Sequence, residues 1–278
     1  MSMALFEDVS RLMHGVATDI VLPSYRRLLA GQIFEKSPGE VVTSVDLEAE
    51  RHLAAGLTAL LPAARIVGEE AVAADPFLLD GIGRGAVWLV DPLDGTANYA
   101  SGSGPFGMMI ALVMDGLPQM GWIYDPLAGR MVFAERGRGA WCDGRRIACP
   151  PPARSRPAAA LGTHFLPAAR RELVHASAAP HFERVPVPMC AAESYARLVL
   201  GQDEVMLFQR SLPWDHAAGA LVVAEAGGRI SHWDRSPYRV GGQGSGVLAA
   251  VSDALWEWAA SVLLPAATGM ATTVGQAA

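Results

Sequence analysis

Apolar residues recur at every third or fourth position in the N-terminal part of the chain, which is the period of an amphipathic helix. The first such stretch runs from Ala4 to about Ala30 and contains Pro23, so it predicts a helix with a kink at the proline. The second runs from about Asp46 to Leu61. Thr43 precedes it with Asp46 three residues further on, a spacing typical of a capped helix N-terminus. Two helices are therefore expected before the first strand.

The pattern then changes to short β-type runs bounded by glycine, proline and aspartate. In the first half these runs predict strands at 64–68, 85–90, 108–114, 119–124 and 131–135. After a proline-rich connector at 150–157, the second half predicts strands at 158–162, 184–187, 205–208 and 246–251, and helices at 168–177, 192–200, 215–226 and 253–264. The pattern thus predicts an α/β (α+β) protein with two halves, 1–149 and 150–278, and a loose segment at 267–278.

Composition and charge exclude several classes of protein. The 278 residues carry a net charge of −6, and 51% of them are hydrophobic, which argues against a disordered chain and against direct nucleic-acid binding. Cys142, Cys149 and Cys190 are odd in number and lack C-x-x-C spacing, so neither a disulfide framework nor a structural zinc site is expected. No apolar run approaches the ~18 to 20 residues that span a bilayer. A cytoplasmic protein without a membrane segment is predicted.

The stretch WLVDPLDGTANY, residues 88–99, places two aspartates directly after a buried-type strand. Pro92 stiffens the turn, so Asp91 and Asp94 can converge on one point. Gly95 allows close approach of a ligand, and the N–H groups that follow would open a short helix suited to an anion. One loop thus offers carboxylates for a cation and amides for a phosphate. The alternative is an ordinary surface turn, because D-P and D-G are common turn dipeptides.

Two other acidic-loop chemistries fail on spacing. An EF-hand counted from Asp91 needs glycine at the sixth position and glutamate at the twelfth, whereas this loop has Gly95 at the fifth and Gly102 at the twelfth. The sequence contains no G-x-x-x-x-G-K-[ST] motif, which excludes a P-loop nucleotide site. Calcium and nucleoside triphosphate sites are therefore not predicted.

Further acidic residues stand at two other sites. Glu69 and Glu70 follow Gly68 at the end of a short strand, and Asp215 follows Trp214 before a helix rich in alanine and glycine. Each has a simpler interpretation as a helix-capping residue. In combination, however, GEE, DPLDGT and WD resemble the three-part signature of the inositol monophosphatase family, the lithium-sensitive, magnesium-dependent phosphatases.

The resemblance extends over nearly all of residues 30–265. The segment from Lys36 to Asp46 looks like the N-terminal active-site segment of the family, and residues 137–147 resemble the strand–turn segment that ends its first half. It implies a layered αβαβα sandwich of the inositol monophosphatase and fructose-1,6-bisphosphatase type, with both halves forming one catalytic unit. It also implies a homodimer.

The resemblance implies a set of oxygen ligands for two to three Mg²⁺ ions, with Mn²⁺ as the alternative. One ion would be held by Glu69, Asp91 and the Leu93 carbonyl, and a second by Asp91, Asp94 and Asp215, with Glu70 near a weaker third. Electrostatics agrees, because carboxylates a few Å apart raise one another's pKa, and divalent cations remove that conflict. Ligation by oxygen alone favours Mg²⁺ or Mn²⁺ over zinc.

The implied reaction is hydrolysis of a small phosphate monoester by a metal-activated water. Thr96 would hydrogen-bond that water and Asp46 would orient the threonine, although Asp46 is also explained by the Thr43 cap. The amides of Gly95 and Thr96 would hold phosphate oxygens, and Lys36, the only lysine in the sequence, would place a charge near them. His216 is expected on the helix surface or behind the metal ligands.

The sequence departs from the family at the substrate. Inositol-specific members have a glutamate seven residues before the WD aspartate, where this chain has Phe208. Arg210 could take over recognition of the substrate, Ala191 falls where the family presents small residues to the sugar ring, and Glu193 is an unexpected charge that would contact substrate or face water. An inositol-1-phosphate-like ester or a sugar phosphate is the first interpretation.

Two alternatives remain open at this point. One is a histidinol-phosphate or 3′(2′),5′-bisphosphate nucleotide phosphatase. The other, of a different class, is an interaction partner of the transcription machinery, a role that the resemblance implies through some bacterial members of the family. The complete acidic set argues against a purely non-catalytic version of this role.

Overall fold

The computed structural model describes residues 3–37 and 39–269. Within these ranges the α-helices are α1 Met3–Val16, α2 Leu22–Ser24, α3 Ser44–Leu60, α4 Glu69–Ala74, α5 Thr96–Ala100, α6 Ala168–Ala178, α7 Ala191–Val199, α8 Pro213–Glu225 and α9 Asp253–Thr268. The strands are β1 Ile33–Ser37, β2 Glu40–Thr43, β3 Arg65–Gly68, β4 Ala86–Asp94, β5 Gly107–Met114, β6 Leu117–Asp125, β7 Arg130–Glu135, β8 Gly139–Cys142, β9 Arg145–Ile147, β10 Ala158–Gly162, β11 Glu183–Val185, β12 Val205–Phe208, β13 Arg229–His232 and β14 Val247–Ala250. None of the described helices combines the length and apolarity needed to cross a bilayer.

A seven-stranded sheet, ordered β3-β4-β5-β6-β7-β8-β9, forms the larger of the two main sheets. Its strand β4 alternates between two cores: Trp88 and Val90 pack with the helices α1 and α3, whereas Val87 and Leu89 face the opposite side. This alternation is the period-2 pattern of a strand buried on both faces. The larger sheet is therefore covered by α1 and α3 on one side and by α8 on the other.

The smaller main sheet has five strands in the order β11-β10-β12-β14-β13. Helices α7 and α8 contact both main sheets, while α9 packs on the far side of the smaller sheet beside α6. The layers thus read α1/α3, seven strands, α7/α8, five strands, α6/α9. This confirms the predicted mixed fold with its αβαβα layering, and one apolar core draws residues from before and after the connector.

The N-terminal helix is shorter than the hydrophobic period predicted. After a π-helical turn at Ala17–Val21, it ends at Ser24 and not near Ala30. Tyr25 is extended and Arg26 has a φ of 61°, so the helical hydrogen-bond pattern stops there. The predicted helix 46–61 is confirmed as α3, and the Thr43–Asp46 capping box is present.

Two other boundaries differ from the sequence prediction. The strand predicted at 85–90 continues to Asp94, and its pairing with β5 shifts between Asp91 and Asp94. Such an irregularity re-aims side chains at a strand end. The predicted loose segment begins too early, because α9 continues to Thr268; residues 270–278, like Pro38, lie outside the described residues.

Candidate active site

A cavity of about 500 Å³ lies where the two halves meet. The first half contributes Lys36, Glu69, Asp94, Gly95 and Thr96 to its wall. The second half contributes residues from the loop after β10, the start of α7, the end of β12 and the start of α8: Phe165, Ala191, Phe208, Arg210 and Asp215. Most of the site residues predicted from sequence therefore line one concavity.

Three predicted metal ligands converge at this cavity. Among the described residues, Glu69, Asp91 and Asp215 each offer a carboxylate oxygen, and these oxygens lie within 4.8 Å of one another. Burial, followed by the charges of Glu69, Asp94 and Asp215, raises the pKa of Asp91. Burial and the Glu69 charge likewise raise the pKa of Asp215. Closely spaced acidic oxygens whose ionisation is costly are a donor set that fits a hard divalent cation.

Asp94 lies next to this group but is held differently. Its Oδ2 accepts hydrogen bonds from the Ala192 backbone N–H at 2.6 Å and from the Cys190 thiol at 2.9 Å. Burial raises the pKa of Asp94, although these hydrogen bonds oppose the rise. The charge of Asp94 in turn raises the pKa of the Cys190 thiol, whose main cause of elevation is burial. Sequence reasoning missed Cys190, which ties the DPLD segment to the start of α7.

Lys36 supplies positive charge to the acidic group. Its Nζ donates to Glu69 Oε1 at 2.5 Å and to Glu70 Oε1 at 2.9 Å. Burial lowers the pKa of Lys36, but the two glutamates more than offset this, so the ammonium form is favoured. Burial and the Glu69 charge raise the pKa of Glu70 to about 7. The only lysine in the sequence therefore lies beside the acidic residues predicted to hold metal.

Glu50 positions the turn that carries Glu69 and Glu70. Its buried carboxylate accepts the backbone N–H groups of Glu70 and Ala71, each at 2.8 Å. A Cβ on Gly68 would come within 2.3 Å of the Glu50 carboxyl carbon, so a side chain there would displace this carboxylate from its hydrogen bonds. The sequence signal was available: Glu50 lies four residues after Asp46 and therefore on the same face of α3.

Thr96 and Asp46 form a connected pair. Thr96 Oγ1 lies 2.9 Å from Asp46 Oδ1 and 2.9 Å from the Leu93 carbonyl oxygen, so its single hydrogen is directed to these acceptors. The other carboxylate oxygen of Asp46 accepts the Thr43 backbone N–H at 2.9 Å. Burial raises the pKa of Asp46 to about 6, against the lowering effect of its hydrogen bonds from Thr43. Asp46 is therefore both a helix cap and the partner of Thr96.

Gly95 is the N-cap residue of the short helix α5 and lines the cavity. Its φ of 83° lies in the left-handed region, and a Cβ there would be 3.0 Å from the Pro105 carbonyl oxygen. Glycine is needed at this position for both reasons. The helix α5 begins at Thr96 as predicted, so the backbone N–H groups of its first turn lack partners within the helix.

The second half of the chain contributes an arginine and an aromatic ring to the cavity wall. Arg210 forms an ion pair with Glu40, and its guanidinium lies 4.5 Å from the centre of the Phe165 ring. Glu193 does not line this cavity; its carboxylate pairs with Arg130 at 2.5 Å and is partly exposed. The unexpected charge noted in the sequence therefore belongs to an ion pair outside the cavity.

His216 is buried, which excludes the helix surface, the first of its two expected positions. Its Nε2 lies 3.0 Å from the Arg210 carbonyl, which can only accept, so Nε2 carries the hydrogen and Nδ1 accepts from the Tyr195 hydroxyl at 2.7 Å. Burial lowers the pKa of His216 to about 4. The neutral ring therefore joins α7, α8 and the end of β12.

Comparison with known proteins explains why these motifs meet. The model of the inositol monophosphatase family matches residues 7–267. The chain belongs to the inositol monophosphatase family. Membership makes it a phosphatase, a phosphoric monoester hydrolase, as the sequence motifs predicted.

Individual relatives show the breadth of the family. The chain is 32% identical over 230 residues to a Nus factor SuhB of Pseudomonas aeruginosa, covering 79% of this chain and 82% of that protein. It is 30% identical over 208 residues to a histidinol-phosphatase of Chlorobaculum parvum, covering 71% and 74%. Its fold is similar to that of a Thermotoga maritima IMPase, with a TM-score of 0.82 at 22% identity, over 97% of this chain and all of the other.

Proposed function

We propose that the protein hydrolyses a small phosphate monoester with the help of Mg²⁺. The observation that carries this proposal is that Glu69, Asp91 and Asp215 converge beside the Thr96–Asp46 pair and the Gly95 backbone. Two to three ions are expected, with Mn²⁺ as a substitute. Glu69, Asp91 and the Leu93 carbonyl would hold one ion, Asp91, Asp94 and Asp215 a second, and Glu70 would lie near a third. When bound, such ions lower the pKa of a water and neutralise charge on phosphoryl oxygens.

Thr96 and Asp46 would handle the proton of the attacking water. Because the Thr96 hydroxyl hydrogen is committed to Asp46 or to the Leu93 carbonyl, the Thr96 oxygen has a free lone pair for a water in the cavity. The carboxylate of Asp46 would stabilise the threonine as it accepts from that water. Since this carboxylate is buried and its pKa is raised to about 6, it can share a proton near neutral pH.

The backbone of Gly95 and Thr96 would hold the phosphoryl group. Their N–H groups stand at the start of α5, where the unpaired donors favour negative charge that develops in the transition state. Lys36 would place a cation at the same end of the cavity. Asp94 and Ala191 would border the leaving alcohol, and Phe208 and Arg210 would lie further out.

Inositol-1-phosphate-like esters and sugar phosphates are the first substrates to test, followed by histidinol phosphate and a 3′(2′),5′-bisphosphate nucleotide. The name of the Chlorobaculum relative supports including histidinol phosphate. We also expect a cytoplasmic homodimer that binds neither nucleic acid nor membrane directly.

An interaction partner of the transcription machinery is the second candidate, favoured by the name of the Pseudomonas relative. The intact acidic group argues against a purely non-catalytic version of this role.

A substrate panel with Mg²⁺ separates the candidates. Phosphate release should occur from at least one ester, should be lost in Asp91→Asn, and should be inhibited by millimolar Li⁺. If every ester stays inert while polymerase subunits bind the purified protein, the interaction role replaces the phosphatase proposal.

A further inference from the structure

The outer part of the active-site cavity contains large apolar side chains that remain exposed. Phe165 and Met189 line it with 48% and 51% of their surfaces accessible, and the half-buried Phe208 lines it as well. Large apolar side chains left accessible inside a concave site mark a place where a ligand covers them. We call Phe165, Met189 and Phe208 the apolar wall.

The apolar wall is held in place by neighbouring groups. The Phe208 ring stacks on Tyr195 with centroids 6.3 Å apart and meets the edge of His216 at 5.1 Å. Tyr195 and His216 are themselves hydrogen-bonded. Met189 adopts a φ of 55°, a conformation that costs a non-glycine residue energy and is found preferentially at functional sites. The wall is thus a pre-formed surface.

The charge that Arg210 brings to the mouth of the cavity is paired with a carboxylate. Arg210 forms an ion pair with Glu40 and packs over the Phe165 ring. The hydroxyl groups of a polyhydroxylated ring would lose bound water against the apolar wall, and the three side chains of the wall offer them no hydrogen bonds in return. Each hydroxyl buried in this way makes binding less favourable. A flat apolar group would instead cover the wall and stack on its aromatic rings.

We propose that the preferred substrate is a phosphate monoester whose alcohol carries a planar aromatic or heteroaromatic group. This assignment rests on the proposed phosphatase function, since the acidic end of the cavity must hold the phosphate for the alcohol to reach the apolar wall. It names a different class of substrate from inositol and sugar phosphates.

Three esters with the same kind of leaving group test the preference: 2-phenylethyl phosphate, 2-cyclohexylethyl phosphate and glycerol 1-phosphate. All three release a primary alcohol, so differences in kcat/KM report the wall and not the chemistry of the leaving group. We expect 2-phenylethyl phosphate to exceed glycerol 1-phosphate by about tenfold or more, with the cyclohexyl ester between them. Equal kcat/KM for the phenyl ester and glycerol 1-phosphate would overturn the assignment.

Variants locate the effect. Phe165→Ala and Phe208→Leu should each reduce the phenyl-over-glycerol preference by about fivefold. Phe77→Ala is the matched control, because Phe77 is 78% exposed and does not line the cavity, and it should leave the preference unchanged. Phe208→Glu should shift turnover towards inositol 1-phosphate. A preference that survives both wall substitutions contradicts the proposal.

Binding of non-hydrolysable 3-phenylpropylphosphonate and of 3,4-dihydroxybutylphosphonate, measured by calorimetry with Mg²⁺, keeps the two proposals apart. Preferential binding of the phenyl compound without hydrolysis of any ester supports the wall and overturns the phosphatase function. Hydrolysis of the esters with equal binding of both phosphonates supports the phosphatase function and overturns the aromatic preference of the wall.

Discussion

The two ends of the active-site cavity are built on different principles. At the inner end, buried carboxylates face one another and their pKa values rise, so this end is stabilised when cations and a phosphate are present. At the outer end, Phe165 and Phe208 form an apolar surface whose neighbouring charges are paired. On the proposed function, the inner end would carry out the reaction, and the outer end would select the alcohol that leaves.

This difference explains why the reaction class can be predicted from the sequence more readily than the substrate. The inner end depends on residues that chemistry restricts to a few types, since hard cations are held by carboxylate and carbonyl oxygens, and phosphate by backbone N–H groups and cationic side chains. The outer end only has to match the shape and polarity of an alcohol, which many side chains can do. If the two ends act independently, substitutions at the inner end should change catalysis, and substitutions at the outer end should change the choice of substrate.

The largest effect is expected from Asp91→Asn at the inner end. Phosphate release should fall by on the order of 10³-fold or more, because this carboxylate belongs to both proposed metal sites. The same change removes one of several mutually repelling charges, and asparagine can still accept a hydrogen bond from the Leu93 N–H. Without Mg²⁺, the melting temperature of the variant should therefore be no lower than that of the wild type. The stabilisation that Mg²⁺ confers should largely disappear. A variant that keeps normal activity would separate Asp91 from the reaction.

Thr96→Val tests the proton path at the same end. Loss of the hydroxyl should lower kcat by about 10²-fold, whereas Thr96→Ser, which keeps the hydroxyl, should retain most of it. The valine variant should bind Mg²⁺ normally in a calorimetric titration. If serine and valine are equally impaired, the hydroxyl is not what matters at this position.

His216 supports the outer end and should make folding sensitive to acid. Because its folded pKa is about 4 and its unfolded value is near 6.5, protons bind preferentially to the unfolded chain between these pH values. Its contribution to the free energy of unfolding is thus present above pH 6.5 and is lost as the pH falls towards 4, by about 3 kcal/mol. The free energy of unfolding, measured with denaturant at several pH values in this range, should fall more steeply towards acid pH in the wild type than in His216→Asn. The same pH dependence in both proteins would contradict the assignment.

Glu50→Gln tests the support behind the metal ligands. Glutamine offers one acceptor oxygen where Glu50 provides two, so one backbone N–H at the start of α4 would lose its partner. We expect about tenfold weaker Mg²⁺ binding by titration calorimetry and a smaller loss of kcat. Glu48→Gln, on the exposed side of the same helix, should match the wild type.

The smallest effect should come from Arg210→Ala. The ion pair with Glu40 is partly exposed, so its loss should change the free energy of unfolding by less than about 1 kcal/mol. The packing over Phe165 also disappears, which should raise KM for the aromatic ester by about two- to threefold while kcat is unchanged. A large fall in kcat would place Arg210 at the inner end.

Much of the fold could be predicted because hydrophobic period and turn residues act locally. The helix α3 with its cap and the central strands lie close to their predicted bounds. The first helix was predicted too long, since apolar spacing continues beyond the point where Tyr25 and Arg26 leave the helical conformation. The short strands β1, β2 and β13 were not predicted, and β1 and β2 precede α3 where only helices were expected, because such strands depend on neighbours to complete their hydrogen bonds.

The sequence by itself determined the family and the reaction class, because the residue types proposed to bind cations and phosphate are few and their motifs lie within short stretches. Only the tertiary structure showed that Glu50 holds the turn of Glu69, that Cys190 binds Asp94, and that Phe165 lies under Arg210. These contacts join segments far apart in the chain, and their energies depend on distance and burial. Neither quantity is written in the order of the residues.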